Sequence, residues 1–324
     1  MGGGAARAGA RLVAAIAVAV AIAACSPNDP PGGEGRLSIA TGGSGGVYQV
    51  YGGGLADVLT DELPDSPTTA ETTSASVDNL LLVAQGESDI AFTLGDTAID
   101  AVRGDEAFPR KEPLRALGTL YPNITQVVVK ADSDIESIED LKGKTVSVGA
   151  PNSGTEIIAL RMMEVAGLDP DEDIHKRGLG VGESAQAIRD GSIDAFFWSG
   201  GVPTAAITDL STTDDIRLLP TGDFLDGLRE KYGEAYQEAE IDGGEYAGVD
   251  EPVKTVGVPN LLMVNASMSD ELAFDITKAL YDNKKRLAAI VPSAEKLDPK
   301  AGKELITPVR MHPGAQRFYD EAGG

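Results

Sequence analysis

Residues 37–48 read LSIATGGSGGVY, and residues 145–155 read TVSVGAPNSGT. Both stretches begin with alternating apolar residues, as a short β-strand does, and continue into a loop rich in Gly and Ser. A helical pattern follows each loop: apolar residues recur every four positions between Val47 and Leu59, and a second helix is expected over residues 155–166, closed by Gly167. The two strand–loop–helix units predict an α/β fold.

The two units also correspond to each other position by position. Ser38, Ser44 and Gly45 precede Ser147, Ser153 and Gly154 by 109 positions each, and residues 86–92 match residues 191–197 as Gly-x-x-Asp followed by Phe, 105 positions apart. We interpret these correspondences as the sign of two lobes with the same architecture. The alternative is a coincidental similarity between short α/β units. Alternating strands and helices imply mostly parallel sheets, in which ligands bind at the carboxyl ends of the strands. Both loops are therefore candidates for a ligand cleft.

Composition excludes several classes of function. The 324 residues include 51 acidic and 27 basic side chains, and the net charge of −24 would repel the phosphates of nucleic acids. A single Cys forms no intrachain disulfide, and the two His residues, His175 and His312, lie too far apart for a clustered zinc site. We expect no metal, no cofactor and no nucleic-acid partner.

The N-terminus predicts export. Arg7 and Arg11 are followed by an apolar run over residues 12–24, which is too short to span a bilayer, and then by Cys25. Residues 22–25, IAAC, resemble the lipobox of bacterial lipoproteins, in which the signal is cut before the Cys and the Cys is lipidated. We therefore expect a signal peptide over residues 1–24 and a lipidated Cys25 with a flexible tether over residues 25–35, anchored to the outer face of the cytoplasmic membrane. A plain signal peptide with a chance Cys is the alternative.

The first glycine loop permits several chemical interpretations. Residues 42–46 lack the Lys of a Walker A loop, and Tyr48 occupies the last Gly of a dinucleotide fingerprint. They do satisfy Gly-x-Ser-x-Gly, the nucleophile elbow of serine hydrolases, with Ser44 as nucleophile and His312 as a distant base. Only one strand precedes Ser44, which argues against that reaction. A backbone cradle for an anion at the start of a helix is the favoured interpretation, and a simple tight turn is the alternative.

Three further segments are candidates for binding. Residues 152–155 combine short polar side chains with a helix start, so they predict either a ligand loop or an ordinary N-cap. Trp198 and Ser199 end a strand, and alternation places one of their side chains in the cleft. Residues 76–79, SVDN, are expected to cap an apolar helix.

Six motifs in order resemble the TAXI family, the solute-binding proteins of TRAP transporters, and the resemblance covers nearly all of the chain after the tether. The motifs are TGGSGGVY (41–48), SVDNL (76–80), GAPNSGT (149–155), DAFF (194–197), VGVP (256–259) and HPGA (312–315).

The resemblance implies a two-lobed, type II periplasmic-binding-protein fold that closes on a ligand between its lobes. It implies a monomer without catalytic activity that delivers a small anionic or zwitterionic solute, such as glutamate, glutamine or a related dicarboxylate, to a TRAP membrane permease. None of the quoted loops supplies an Arg, so backbone and hydroxyl donors would hold the carboxylate. Carried over by position, the ligand-binding residues are Gly43, Ser44, Gly45, Tyr48, Asn79, Asn152, Ser153, Gly154, Thr155, Ser199, Gly200 and Pro203.

Two β-branched stretches, residues 125–130 and 255–264, are expected to cross between the lobes. Lobe 1 is thus predicted over residues 36–125, lobe 2 over 126–254, and a return segment to lobe 1 over 255–324. Residues 222–253 are expected to form a helix and a long loop. A ligand sensor for a membrane signalling protein would share all these features and remains the alternative function, with the Ser44 hydrolase a weaker one.

Overall fold

The computed structural model describes residues 1–2 and 35–323. Cys25 and the apolar run before it lie outside the described residues. Within the described part, no helix combines the length and the apolar character that a membrane crossing requires.

Strands and helices alternate along most of the chain. The strands of the described residues, numbered β1 to β10, are Leu37–Ala40, Thr68–Glu71, Ile90–Leu94, Leu114–Lys130, Thr145–Ser147, His175–Arg177, Ala195–Gly200, Ile216–Leu218, Gln237–Ile241 and Val253–Asn265. The helices, α1 to α11, are Val47–Glu62, Ser76–Gln85, Gly95–Arg103, Gly154–Val165, Val181–Arg189, Ala205–Thr213, Leu225–Tyr232, Asp270–Asp282, Lys284–Ile290, Pro299–Gly302 and Pro313–Ala322. Short 3₁₀ turns cover Glu139–Leu141, Gly222–Phe224 and Pro292–Lys296.

All the described strands join in one mixed sheet with the order β2-β1-β3-β10-β4-β7-β5-β6, to which β8 adds beside β4 and β9 beside β10. The outer strands pair in parallel, as expected from their helical connections. The expectation of mostly parallel pairing is wrong at the centre, because β4 and β10 run antiparallel to every strand they contact.

The two central strands each change partners along their length. At its start β4 pairs with β10, and from Ile124 onward it pairs with β7. Strand β10 pairs with β9 up to Gly257 and with β3 from Asn260 onward. The chain therefore crosses twice between two halves of the sheet, and the lobe boundaries expected after residues 125 and 254 fall inside these crossing strands.

Helices cover both faces of each half. In the first half, α1, α8, α9 and α11 cover one face, and α1 contributes Leu55 and Leu59 to the core there. Helices α2 and α3 cover the other face. In the second half, α4 covers one face and α5 and α6 the other. The carboxyl ends of β1, β2 and β3 thereby meet those of β5, β6 and β7 across one gap.

Residues 222–253 differ from expectation. The segment contains α7, as predicted, but the expected long loop also contains β9, which pairs with the first half of β10. The alternating residues of β9, QEAEI, are mostly exposed, so the strand carries little apolar signal.

The glycines of α1 predict opposite effects of one substitution. A Cβ on Gly52 would lie 2.2 Å from Cγ2 of Thr41, whose hydroxyl is fixed by a 2.6 Å hydrogen bond to the Glu71 carbonyl. Gly52→Ala should therefore lower the free energy of unfolding by about 1–3 kcal/mol through overpacking. Gly53 has open space at the same position, and Gly53→Ala should raise it by up to about 1 kcal/mol through helix propensity. Urea denaturation measures both, and equal effects of the two substitutions would contradict this packing.

Candidate functional site

A cavity of about 50 Å³ lies in the gap between the two halves of the sheet. Its wall is formed by strand ends and helix starts from both halves, which is where ligands bind in α/β sheets. The lining residues are Gly42, Gly43, Gly46, Val47, Tyr48, Ser74, Ala75, Ser76, Leu94, Tyr121, Asn123, Ala150, Ser153, Gly154, Thr155, Gly180, Val181, Trp198, Ser199 and Gly200.

The first glycine loop brings the start of α1 to this cavity. No side chain caps α1, and its first turn holds no acidic residue, so its backbone N–H groups keep no side-chain partner. A Cβ on Gly46 would lie 3.1 Å from the Trp198 ring of the other half, so the loop and the ring approach each other closely there. The exposed Ser44 and its neighbour Gly45 do not line the cavity.

The second loop makes structural contacts as well as lining the cavity. The Ser153 hydroxyl caps α4 by accepting from the Glu156 N–H at 3.1 Å, and the Thr155 hydroxyl accepts from the Ser199 N–H at 3.2 Å. A Cβ on Gly154 would lie 2.6 Å from both Ser76 Oγ and Leu94 Cδ1, so Gly permits close approach of the two halves. The interpretations of this loop as an N-cap and as a cavity wall thus apply together.

Asn152 joins the halves rather than facing the cavity. Its carbonyl accepts from the Val77 N–H at 3.1 Å, and its side chain is outside the cavity wall. Pro203, which follows a cis peptide bond, is exposed and also lies outside that wall.

Asn79 is placed inside the core. It is fully buried, and its amide donates to the carbonyls of Thr41 at 2.6 Å and Phe92 at 2.7 Å. In the described structure these hydrogen bonds connect α2 to the ends of β1 and β3. The expectation that residues 76–79 form a cap is wrong, because α2 already begins at Ser76, whose hydroxyl accepts from the Leu94 N–H at 3.1 Å.

A hydrogen-bonded chain of polar side chains lies behind the cavity. The Tyr48 hydroxyl donates to Oδ1 of Asn260. The Asn260 amide donates to Oδ1 of Asn123 at 2.5 Å, and the Asn123 amide donates to the Ser199 backbone carbonyl at 3.2 Å. Sequence reasoning missed Asn123 and Asn260. Two Asn residues inside the apolar crossing strands were the available signal, since buried amides require partners.

Two hydroxyls of the wall have no protein partner. Tyr121 is 2% exposed and Ser199 is 5% exposed. Their hydroxyl oxygens, Oη and Oγ, are buried, and neither makes a hydrogen bond. Burial raises the pKa of Tyr121 well above its ordinary value, so its hydroxyl stays protonated at neutral pH. Unpaired buried hydroxyls are costly, and both belong to residues of the cavity wall.

His312 does not serve as a base for Ser44. It is completely buried, its Nδ1 accepts from the Gly314 N–H at the start of α11, and its Nε2 lies 3.0 Å from the Met268 carbonyl. Burial lowers the pKa of its imidazole, which keeps the ring neutral. Both ring nitrogens are therefore engaged in structural contacts.

A second polar cluster joins the halves beside the cavity. Arg161 on α4 pairs with Asp100 on α3 at 2.7 Å and donates to the Tyr236 hydroxyl at 3.1 Å, and that hydroxyl donates to Asp96 at 2.9 Å. Burial raises the pKa of Asp100 to about 7 against the opposing effect of the guanidinium. Because α3 and α4 lie in different halves, this buried cluster holds the halves together.

Comparison with known proteins identifies both a family and a fold. The model of the NMT1-like family matches residues 39–323. The chain is similar in structure to the periplasmic aliphatic sulphonate binding protein SsuA from Escherichia coli, with 16% identity, 88% of this chain and 82% of that chain covered, and a TM-score of 0.50.

Two other solved structures are also similar. A protein from Bordetella bronchiseptica RB50 has 16% identity over 90% of this chain and 98% of that chain, with a TM-score of 0.55. A protein from Xanthomonas citri, solved bound to ATP, has 13% identity over 88% and 98%, with a TM-score of 0.53. The expected two-lobed, type II periplasmic-binding-protein fold is confirmed.

The Arg161 cluster leads to a stability prediction. Arg161→Met removes the partner of two buried carboxylates and should lower the free energy of unfolding by about 3–5 kcal/mol. Arg286 provides the matched control, because its 2.7 Å pair with Asp61 lies at the surface and Arg286→Met should cost less than about 1 kcal/mol. Thermal and urea denaturation compare the two variants. A small effect of Arg161→Met would show that the cluster does not hold the halves together.

Proposed function

The chain belongs to the NMT1-like family, and on that premise we propose that it is an extracytoplasmic solute-binding protein that delivers a small ligand to a membrane transporter. One observation carries the proposal: the two halves enclose a cavity whose wall contains two buried hydroxyls without partners. The confirmed fold supports the same function, since the similar SsuA is itself a periplasmic binding protein.

The proposed ligand carries a carboxylate. The uncapped start of α1 supports this, because backbone N–H groups and the helix dipole stabilise an anion there. The resemblance to the TAXI family extends the proposal to glutamate, glutamine and related dicarboxylates. The ligand-binding residues proposed here are those predicted residues that line the cavity, namely Gly43, Tyr48, Ser153, Gly154, Thr155, Ser199 and Gly200.

The proposed partner is a membrane permease. The TAXI resemblance favours a TRAP permease driven by an ion gradient, and an ATP-driven permease of the ABC class is the alternative. Uptake into membrane vesicles separates them, because an ionophore that collapses the gradient stops the first type directly and ATP depletion stops the second. A ligand sensor would support no uptake in either condition.

Ligand binding should change the fluorescence of Trp198, the single Trp of the sequence, whose ring lines the cavity. We expect a saturable change when the purified protein is titrated with a panel of small carboxylic acids and amino acids. Four or five hydrogen bonds to a charged group are sufficient for a micromolar dissociation constant.

Ser199→Val is the matching variant. It fills part of the cavity and removes a hydroxyl that has no protein partner, so affinity should fall more than tenfold while the melting temperature stays nearly unchanged. Ser153 and Thr155 are less suitable positions, because both hydroxyls make structural hydrogen bonds. Unchanged affinity in Ser199→Val would refute this placement of the ligand.

Membrane attachment is proposed to depend on Cys25. If lipidation of this Cys anchors the protein, Cys25→Ala should move it from the membrane fraction to the soluble extracytoplasmic fraction. Cell fractionation followed by immunoblotting measures this shift, with Ser26→Ala as the control that retains the Cys. A membrane-bound Cys25→Ala protein would contradict the lipid anchor.

A further inference from the structure

Two buried carboxylates share one guanidinium where the two halves meet. Asp100 on α3 lies 2.7 Å from Nη2 of Arg161 on α4, and Asp96, one turn earlier on α3, lies 3.6 Å from Nη1 of the same residue. All three side chains are less than a tenth exposed. Burying two carboxylates against a single cation leaves one negative charge without compensation, which is costly away from water.

The charged groups around this pair do not restore the balance. Glu106 adds a third carboxylate, 3.9 Å from Nη2 of Arg161. The ring of Tyr232 on α7 faces the guanidinium at 4.6 Å, and its neighbour Lys231 pairs with Glu164 at 2.5 Å. Within the described part of the chain, these contacts leave the Arg161 cluster with more carboxylates than cations.

The hydrogen bonds distinguish the two Asp residues. The Tyr236 hydroxyl donates to Asp96 at 2.9 Å, and burial raises the pKa of Tyr236 well above its ordinary value, so this hydroxyl keeps its proton. Burial raises the pKa of Asp100 to about 7 against the opposing effect of Arg161. The negative charges of Asp96 and Glu106 raise that pKa further. Asp100 is therefore the carboxyl of the cluster that can accept a proton near neutral pH.

The Arg161 cluster lies on the same seam between the halves as the binding cavity. At the cavity wall, a Cβ on Gly154 of α4 would lie 2.6 Å from Ser76 Oγ of the other half. Next to that contact the Val77 N–H donates to the Asn152 carbonyl, and both residues line a second cavity together with Arg161. The charged residues of the cluster are not among those that line the binding cavity, so the cluster can affect binding through closure of the halves but not by touching the ligand.

Separation of the halves would change how tightly Asp100 binds its proton. An Asp carboxyl in water titrates near pH 4, whereas burial raises the pKa of Asp100 to about 7 in the closed structure. Between these values the closed form binds one proton more than the open form. The closed form therefore gains stability relative to the open form as the pH falls towards 4, and it loses this gain as the pH rises through 7.

We propose that closure of the two halves takes up a proton at Asp100, so that the protein closes more readily and holds its ligand more tightly at pH 6 than at pH 8. The proton comes from the solvent and returns to it when the halves separate. This inference rests on the proposed function, in which the halves close on a ligand, and adds to it a dependence of affinity on the external pH.

The ligand-free protein tests the proton uptake through the fluorescence of Trp198. The ring of this residue lies against the glycine loop of the other half, so its emission is sensitive to their separation. The ratio of closed to open protein should rise about tenfold between pH 8 and pH 6, with a corresponding change in emission. Asp100→Asn, which resembles the protonated acid, should remove this change. Asp57→Asn is the matched control, because Asp57 is exposed on α1, and it should behave as the unmodified protein does.

Calorimetry with glutamate tests the coupling to binding. Glutamate has no group that titrates appreciably between pH 6 and pH 8, and its titration at pH 7 in phosphate and in Tris, which differ in ionisation enthalpy, counts the protons taken up. We expect about half a proton per bound glutamate, and about tenfold tighter binding at pH 6 than at pH 8. In Asp100→Asn the proton uptake and the pH dependence should both disappear.

The outcomes separate this inference from the proposed function. Binding of glutamate with no proton uptake, or with the same uptake in Asp100→Asn, would overturn the inference and leave a solute-binding protein. A Trp198 emission that does not change with pH, or that changes equally in Asp100→Asn, would overturn it as well. Failure of glutamate to bind, with no increase in melting temperature, would contradict the proposed ligand, and the fluorescence of the ligand-free protein would then decide the inference by itself.

Discussion

The antiparallel pairing of β4 with β10 is the constraint on which the rest of the structure depends. The two strands pair with each other from Leu114 opposite Asn265 to Ile124 opposite Gly257. Beyond that point β4 pairs with β7 and β10 pairs with β9 in the other half. Strand β3 pairs antiparallel with β10 and β7 pairs antiparallel with β4, so the two parallel sets run in opposite directions. This arrangement also turns the carboxyl ends of the two parallel sets towards one gap, so the cavity follows from the topology before any side chain is considered.

Local patterns in the sequence predicted the elements that border the cavity, and they failed where tertiary contacts decide. The apolar periodicity of α1 and the β-branched crossing strands are local signals, and the structure contains both. Strand β9 was missed because it lies at an edge, where few of its side chains need to be buried. Asn79 is expected to bind the ligand only from the resemblance to the TAXI family, and in the structure its amide donates to the backbone carbonyls of Thr41 and Phe92.

The two glycine loops show why a glycine-rich motif does not by itself identify a ligand-binding loop. Their glycines suggested backbone cradles for an anion, and the start of α1 remains available for that role. However, both loops also lie where the two halves approach each other: Gly46 packs near the ring of Trp198, and Gly154 leaves no room for a Cβ against Ser76 and Leu94. A sequence pattern does not distinguish a glycine that admits a ligand from one that admits another part of the chain, since both need the space of a missing Cβ.

The position of the cavity connects binding with closure. The start of α1 borders it from one half and the start of α4 from the other, so a ligand that contacts both helix starts holds the halves together. A ligand shifts a conformational equilibrium only by its difference in affinity between the two states. A ligand that contacts both halves has that difference, because it loses one set of contacts when the halves separate. The net charge of −24 does not oppose this, since charges beyond about 10 Å are screened while the donors act at contact distance. None of the described residues that line the cavity is charged, and we therefore expect a proposed anionic ligand to be released when a partner separates the two halves.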